Sequence, residues 1–218
     1  MPARIPWHVV LNVDRRFDAV EAFFEKVDEA IKEIIAEQTK RAEDDYDDDG
    51  PGHEVYWQGV FEDTLARTLN YSTLAQTYAL LDALLSQLCD EVQSALRLRF
   101  LRTDMKDQRE LKTRIEYLQK GLGNLLAEDA FGGDFAAKLH PISLVRHRIV
   151  HANGEVGKVV PKNLDDALKK LGLGVADGYI ELPTAVVREL TREARKWAEQ
   201  VCEDVGRALE KNAGFVLA

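Results

Sequence analysis

Two cysteines in 218 residues, Cys89 and Cys202, lie far apart and outside any CxxC pair. They exclude a disulfide framework and a zinc knuckle. Each sits among helix-forming residues and reads as a buried, reduced thiol. Uninterrupted apolar runs of membrane-spanning length are missing as well, and the opening stretch MPARIPWHVV lacks the basic-then-apolar layout of a secretory signal. A cytoplasmic protein with no membrane segment is expected. Positive charge is scarce: 29 lysines and arginines stand against 38 aspartates and glutamates, a formal net charge of -9. That balance excludes a protein that coats nucleic acid over its whole surface, because phosphate binding relies on concentrated positive charge. A local basic groove is still compatible with it.

What is present is a helix-rich chain. With 45% hydrophobic and 31% charged residues, the length suits one substantial core, and residues 1–218 are expected to form a single, mainly α domain. Much of the acidity is concentrated in EDDYDDDGPG, Glu43 to Gly52. Like charges repel there, and the glycines and proline stop a helix, so an acidic solvated loop is expected at about residues 43–54. Before it, from Phe17 to about Arg41, Val20, Phe23, Phe24, Val27, Ile31, Ile34 and Ile35 recur at helical spacing. After it, one helix is expected from near Tyr56 to before Asn70, and a long one from Ser72 to about Leu101. Leu74, Tyr78, Leu81, Leu85, Leu88, Val92 and Leu96 form a broad stripe on the long helix, suited to the centre of a bundle. A more polar helix is expected from Asp107 to Lys120.

Further on, His140 and Pro141 look like a helix entrance and Asn153 with Gly154 like its exit, giving about three turns from Pro141 to Ala152. Glu155–Val160 and Tyr179–Leu182 lean toward β structure, with a helix in NLDDALKKLGLG between them, so a small hairpin is expected. Pro183 then opens a final long helix to about Asn212. The fold class is a mainly α helical bundle with a possible small β-hairpin excursion.

The stretch LVRHRIVHANG, Leu144 to Gly154, carries the densest chemistry. At about 100° per residue, Ile142, Ile149 and Val150 fall within about 60° of Arg146, so Arg146 emerges from an apolar face. A charge there needs a partner, an interface or a pocket. His147 and His151, four residues apart, stack on one flank, and Arg148 lies further round toward solvent. An arginine beside two imidazoles suits a phosphodiester: the guanidinium grips phosphate oxygens, and an imidazole moves a proton to or from a ribose 2′-hydroxyl or the leaving oxygen. RNA brings its own nucleophile, so this chemistry requires no metal.

Arg146, His147 and His151 read R-H-x-x-x-H, which resembles the R-x4-6-H signature of the HEPN superfamily, with a polar residue directly after the arginine. A long apolar helix, the motif on a late helix and a closing helix are similar to that family's layout over Tyr56 to Asn212. The resemblance implies a helical bundle that dimerises so that both motifs line one cleft. It also implies a metal-independent endoribonuclease, commonly of toxin–antitoxin or antiphage defence systems. Arg146 would then contact phosphate, His151 would be the main acid/base group, and His147 would orient or assist. Other members are inactive dimerisation or partner-binding modules, and a nucleotidyltransferase-type antitoxin is one partner the resemblance suggests. Family members often carry a supporting acidic residue on the long helix. Asp82 is the candidate, either paired with Arg146 or lying on the helix surface.

A zinc site at His147 and His151 lacks the glutamate of HExxH and any nearby cysteine, so neither a resident metal nor another cofactor is expected. His8 and His53 belong to no motif. The segment Arg97 to Arg114 holds seven basic and three acidic residues. It reads as a solvated, salt-bridged face, with an extension of an RNA groove as the alternative, in which Phe100 would offer a stacking face to a base.

Overall fold

In the computed structural model, residues 7–44, 63–105, 110–157 and 159–216 are described. They form six α-helices and one two-stranded antiparallel hairpin. The helices are α1 (Trp7–Asp44), α2 (Ala66–Leu96), α3 (Leu111–Leu122), α4 (Asp134–Ala152), α5 (Lys162–Leu171) and α6 (Thr184–Val216). The strands β1 (Gly174–Ala176) and β2 (Tyr179–Glu181) lie between α5 and α6. Among the described residues no helix is long and apolar enough to cross a membrane. Glu43 and Asp44 end α1, and the rest of the acidic stretch lies outside the described residues, as does His53.

The apolar stripe of α2 makes it the central helix, packed against α1, α3, α4 and α6. Leu81, Leu85, Leu88 and Val92 are fully buried there and meet Val187, Ala194, Val201 and Val205 of α6 within one core. Both cysteines are free and buried. Burial pushes the Cys202 thiol up to about 12, which keeps it protonated and unreactive at neutral pH. On α1, Phe17, Val20, Phe24 and Ile31 are buried while Phe23 and Ile34 stay exposed. The helix packs on α2 and α6 from one side, and the expected stripe is wider than those neighbours cover. Arg195 of α6 adds a polar clasp to α1, reaching Asp18 at 2.7 Å and Glu21 at 3.4 Å.

Helix α1 begins at Trp7, ahead of the expected Phe17, α2 ends at Leu96, short of the expected Leu101, and the helix start expected near Tyr56 lies outside the described residues. Three further differences have a visible cause. No break separates residues before Asn70 from those after Ser72, because α2 runs straight through. The polar groups that suggest a cap are used elsewhere: Asn70 Nδ2 donates to the Leu182 carbonyl at 2.9 Å, and Thr73 Oγ1 donates back to Leu69 at 2.9 Å. Second, α4 starts at Asp134 rather than Pro141. Proline inside a helix forfeits one backbone bond, but Phe135 and Leu139 bury their side chains in the extra turns, and that burial wins. Third, the hairpin pairs 174–176 with 179–181, and the described part of Glu155–Val160 meets it through a bridge from Glu155 to Tyr179 and a hydrogen bond from Val156 rather than as a paired strand. Asp177 and Gly178 both have positive φ, 51° and 80°, the conformation a two-residue hairpin turn requires.

Candidate functional site on helix α4

The site is built where α4 crosses α2 and then ends. Asn153, in the left-handed conformation, closes the helix and donates its N–H to the Arg148 carbonyl, as the Asn-Gly exit predicts. The chain then returns to the hairpin, where Ile180 N–H donates to the Gly154 carbonyl at 3.0 Å and Val156 N–H to Gly178 at 2.8 Å. Tyr71 of α2 completes this corner, its hydroxyl donating to the Ile180 carbonyl at 2.6 Å. Burial raises the pKa of that phenol. Gly154 has φ of +76°, and a methyl group there would collide with the Tyr71 ring. The corner therefore fixes where the last turn of α4, with His151, is presented.

Ile142, Val145 and Ile149 form the buried side of α4, whereas His140, His147, Val150 and His151 are exposed. Arg146 sits at the edge, half-buried, with its guanidinium carbon 5.5 Å from the centre of the Tyr78 ring on α2. Tyr78 is itself held by a hydrogen bond from its hydroxyl to Ser143 at 3.2 Å. The ring face attracts the cation but takes no strong hydrogen bond. Arg146 Nε is buried and has no hydrogen-bond partner among the described residues. A buried donor left in this way is costly, and among the described residues no carboxylate is paired with this guanidinium, so its charge is not neutralised within the fold.

His147 and His151 stand on the adjacent flank with ring centres 4.4 Å apart and planes tilted by 49°. The i, i+4 spacing thus brings the two imidazoles together as expected, on the flank next to Arg146: His147 follows it directly and His151 lies five residues on. Val150 lies between Arg146 and the histidines and is 48% exposed, an apolar spot within a polar patch. Arg148 is half-buried rather than free in solvent, and its Nε donates to the Glu155 carbonyl. It therefore pins the segment after the helix.

Asp82 is engaged by a different arginine from the one considered in the sequence. Arg114 of α3 places its terminal nitrogens 2.8 and 3.2 Å from the Asp82 carboxylate and donates through Nε to Ser86 at 2.8 Å. The basic segment around it is partly structural as well: Arg114 is buried, and Phe100 packs on Tyr117 with ring centres 4.9 Å apart. A cleft of about 710 Å³ lies elsewhere, between the 125–133 segment and α6, and is lined by Phe131, Trp197, Asp204 and Arg207 among others. It includes none of the motif residues.

Sequence reasoning missed Tyr78 as the seat of Arg146 and Ser143 as its anchor. Tyr78 carried only the signal of a core residue on the α2 stripe, and its role depends on which turn of α4 meets it. The patch as a whole offers a guanidinium with spare donor capacity beside two accessible imidazoles, a set that can bind an anionic oxygen and transfer protons next to it. No protein-family model, curated protein or solved structure matches this chain.

Proposed function

We propose that this protein is a metal-independent endoribonuclease of HEPN type that acts as a homodimer, with RNA as substrate and Arg146 and His151 at the centre of the site. The observation that carries the reading is the half-buried Arg146, whose Nε has no hydrogen-bond partner among the described residues, on the same helix as the exposed His147–His151 pair, with His147 the next residue and His151 five residues on. In this reading Arg146 holds the non-bridging oxygens of one phosphodiester. The ribose 2′-oxygen attacks phosphorus, the bond to the 5′-oxygen breaks, and His151 moves a proton to or from these oxygens, assisted by His147. The products are a 2′,3′-cyclic phosphate and a 5′-hydroxyl. A role in a toxin–antitoxin or antiphage system, with a nucleotidyltransferase-type antitoxin as partner, belongs to the same proposal.

A second reading is an inactive HEPN-like dimerisation or partner-binding module. The exposed Val150 beside the motif and the net charge of -9 favour it. Analysis of RNA ends separates the two. The ribonuclease reading predicts cyclic phosphate termini from the wild type in EDTA and none from His151→Ala. A folded dimer that releases no such termini from structured or single-stranded RNA belongs to the second reading.

A further inference from the structure

The His147–His151 pair has a property that proton transfer does not require. Two imidazoles at i and i+4 share one exposed helix flank, the spacing at which paired histidines on a helix hold one metal ion. With metal–nitrogen bonds of about 2.1 Å, an ion in line with a ring nitrogen lies roughly 3.2 Å from the ring centre, so two rings at right angles about it stand about 4.5 Å apart. The observed separation is 4.4 Å, which is within reach of one shared ion. Among the described residues no group of three or more metal-ligating side chains gathers, so the remaining coordination positions would be filled by water. Cys89 and Cys202 are buried and do not compete. His140 is exposed on the same helix, but lies about 10 Å along the axis from His147, beyond chelating reach.

We infer that His147 and His151 form an open, two-ligand site for a late first-row divalent ion such as Ni²⁺ or Cu²⁺, and that the bound ion switches the α4 site off. Imidazole suits these ions, and right-angled coordination suits them better than it suits tetrahedral Zn²⁺. An ion on both rings occupies the nitrogens that would transfer protons, so binding and catalysis exclude each other. Binding itself is independent of any enzymatic role, whereas the switching rests on the ribonuclease reading.

Isothermal titration of the full chain with Ni²⁺ tests the site without reference to activity. One ion per chain is expected, with affinity falling roughly tenfold or more in His147→Gln and in His151→Gln and unchanged in His140→Gln. All three side chains are exposed, so these variants keep the fold. Unchanged affinity in the first two variants, or an equal loss in His140→Gln, overturns the site. The switching is read separately, by adding Ni²⁺ to the metal-free cleavage reaction. Inhibition over the same concentration range as binding supports it, and cleavage that continues at saturating Ni²⁺ overturns it. If the wild type binds Ni²⁺ through both histidines yet cleaves no RNA, the ion site stands and only the ribonuclease reading and its switch fall.

Discussion

Arg114 and Arg146 lean on the same helix, α2, from two different neighbours. Arg114 comes from α3, is 8% exposed, and donates to Asp82 and Ser86; its second terminal nitrogen makes no hydrogen bond among the described residues but lies 2.8 Å from the Asp82 carboxylate as an ion pair. Arg146 comes from α4, rests on the face of Tyr78, and keeps an unpaired buried Nε. Tyr78 and Asp82 are one turn apart on α2, so neighbouring positions of one helix give one arginine a carboxylate and the other an aromatic ring. A guanidinium neutralised within the fold belongs to the scaffold. One held in place by a ring, with donor capacity left over, is positioned to accept an anion from outside.

That contrast is tested first by stability. Arg114→Met removes a buried cation and strands Asp82, so it is expected to lower the unfolding free energy by about 2–3 kcal/mol. This is below the usual range for a buried pair because the Asp82 side chain is 36% exposed. Gly154→Ala comes next, at about 2 kcal/mol, since it combines a left-handed backbone with a collision at Tyr71. Arg146→Met is expected to cost less than about 1 kcal/mol, because it gives up a cation–π contact while removing an unsatisfied donor. Urea denaturation of the three variants gives the order, and equal losses for Arg114→Met and Arg146→Met would make both arginines structural.

A smaller effect separates the closed core from the open flank. The folded Cys202 thiol keeps its proton to about 12, against an ordinary value of 9.0. The unfolded chain therefore releases that proton first as pH rises. The thiol's contribution to stability is complete below pH 9 and declines between 9 and 12. Cys202→Ala should flatten this part of the alkaline decline in urea midpoints. In the native protein a thiol reagent should label neither buried cysteine, while a histidine reagent should reach His147 and His151.

Much of this was legible in the sequence, for identifiable reasons. The α2 stripe, the Asn153–Gly154 exit and the 147/151 stacking depend on local periodicity and turn chemistry, which the chain carries along its own length. The same periodicity put Arg146 within an apolar face, and the structure has it at the edge of that face, half-buried. The periodicity gave Ile149 and Val150 equal standing on either side of that arginine, yet Ile149 is buried and Val150 exposed, because only contact with α2 decides which side is covered. The choice of Arg114 over Arg146 as the partner of Asp82 has the same origin: it is set by how α3 and α4 dock, and no spacing within either helix encodes it. The early start of α4 was hidden by Pro141, whose local preference was overridden by the burial of Phe135 and Leu139.

The central claim is that the spare capacity of Arg146, and not that of Arg114, serves an external phosphate. The most direct measurement is RNA cleavage in EDTA by wild type, Arg146→Met and Arg114→Met, each normalised to its folded protein. The account predicts a loss of about a hundredfold or more in Arg146→Met and near wild-type cleavage by the folded fraction of Arg114→Met. Equal activity in wild type and Arg146→Met, or no cleavage by the folded wild type, would contradict it.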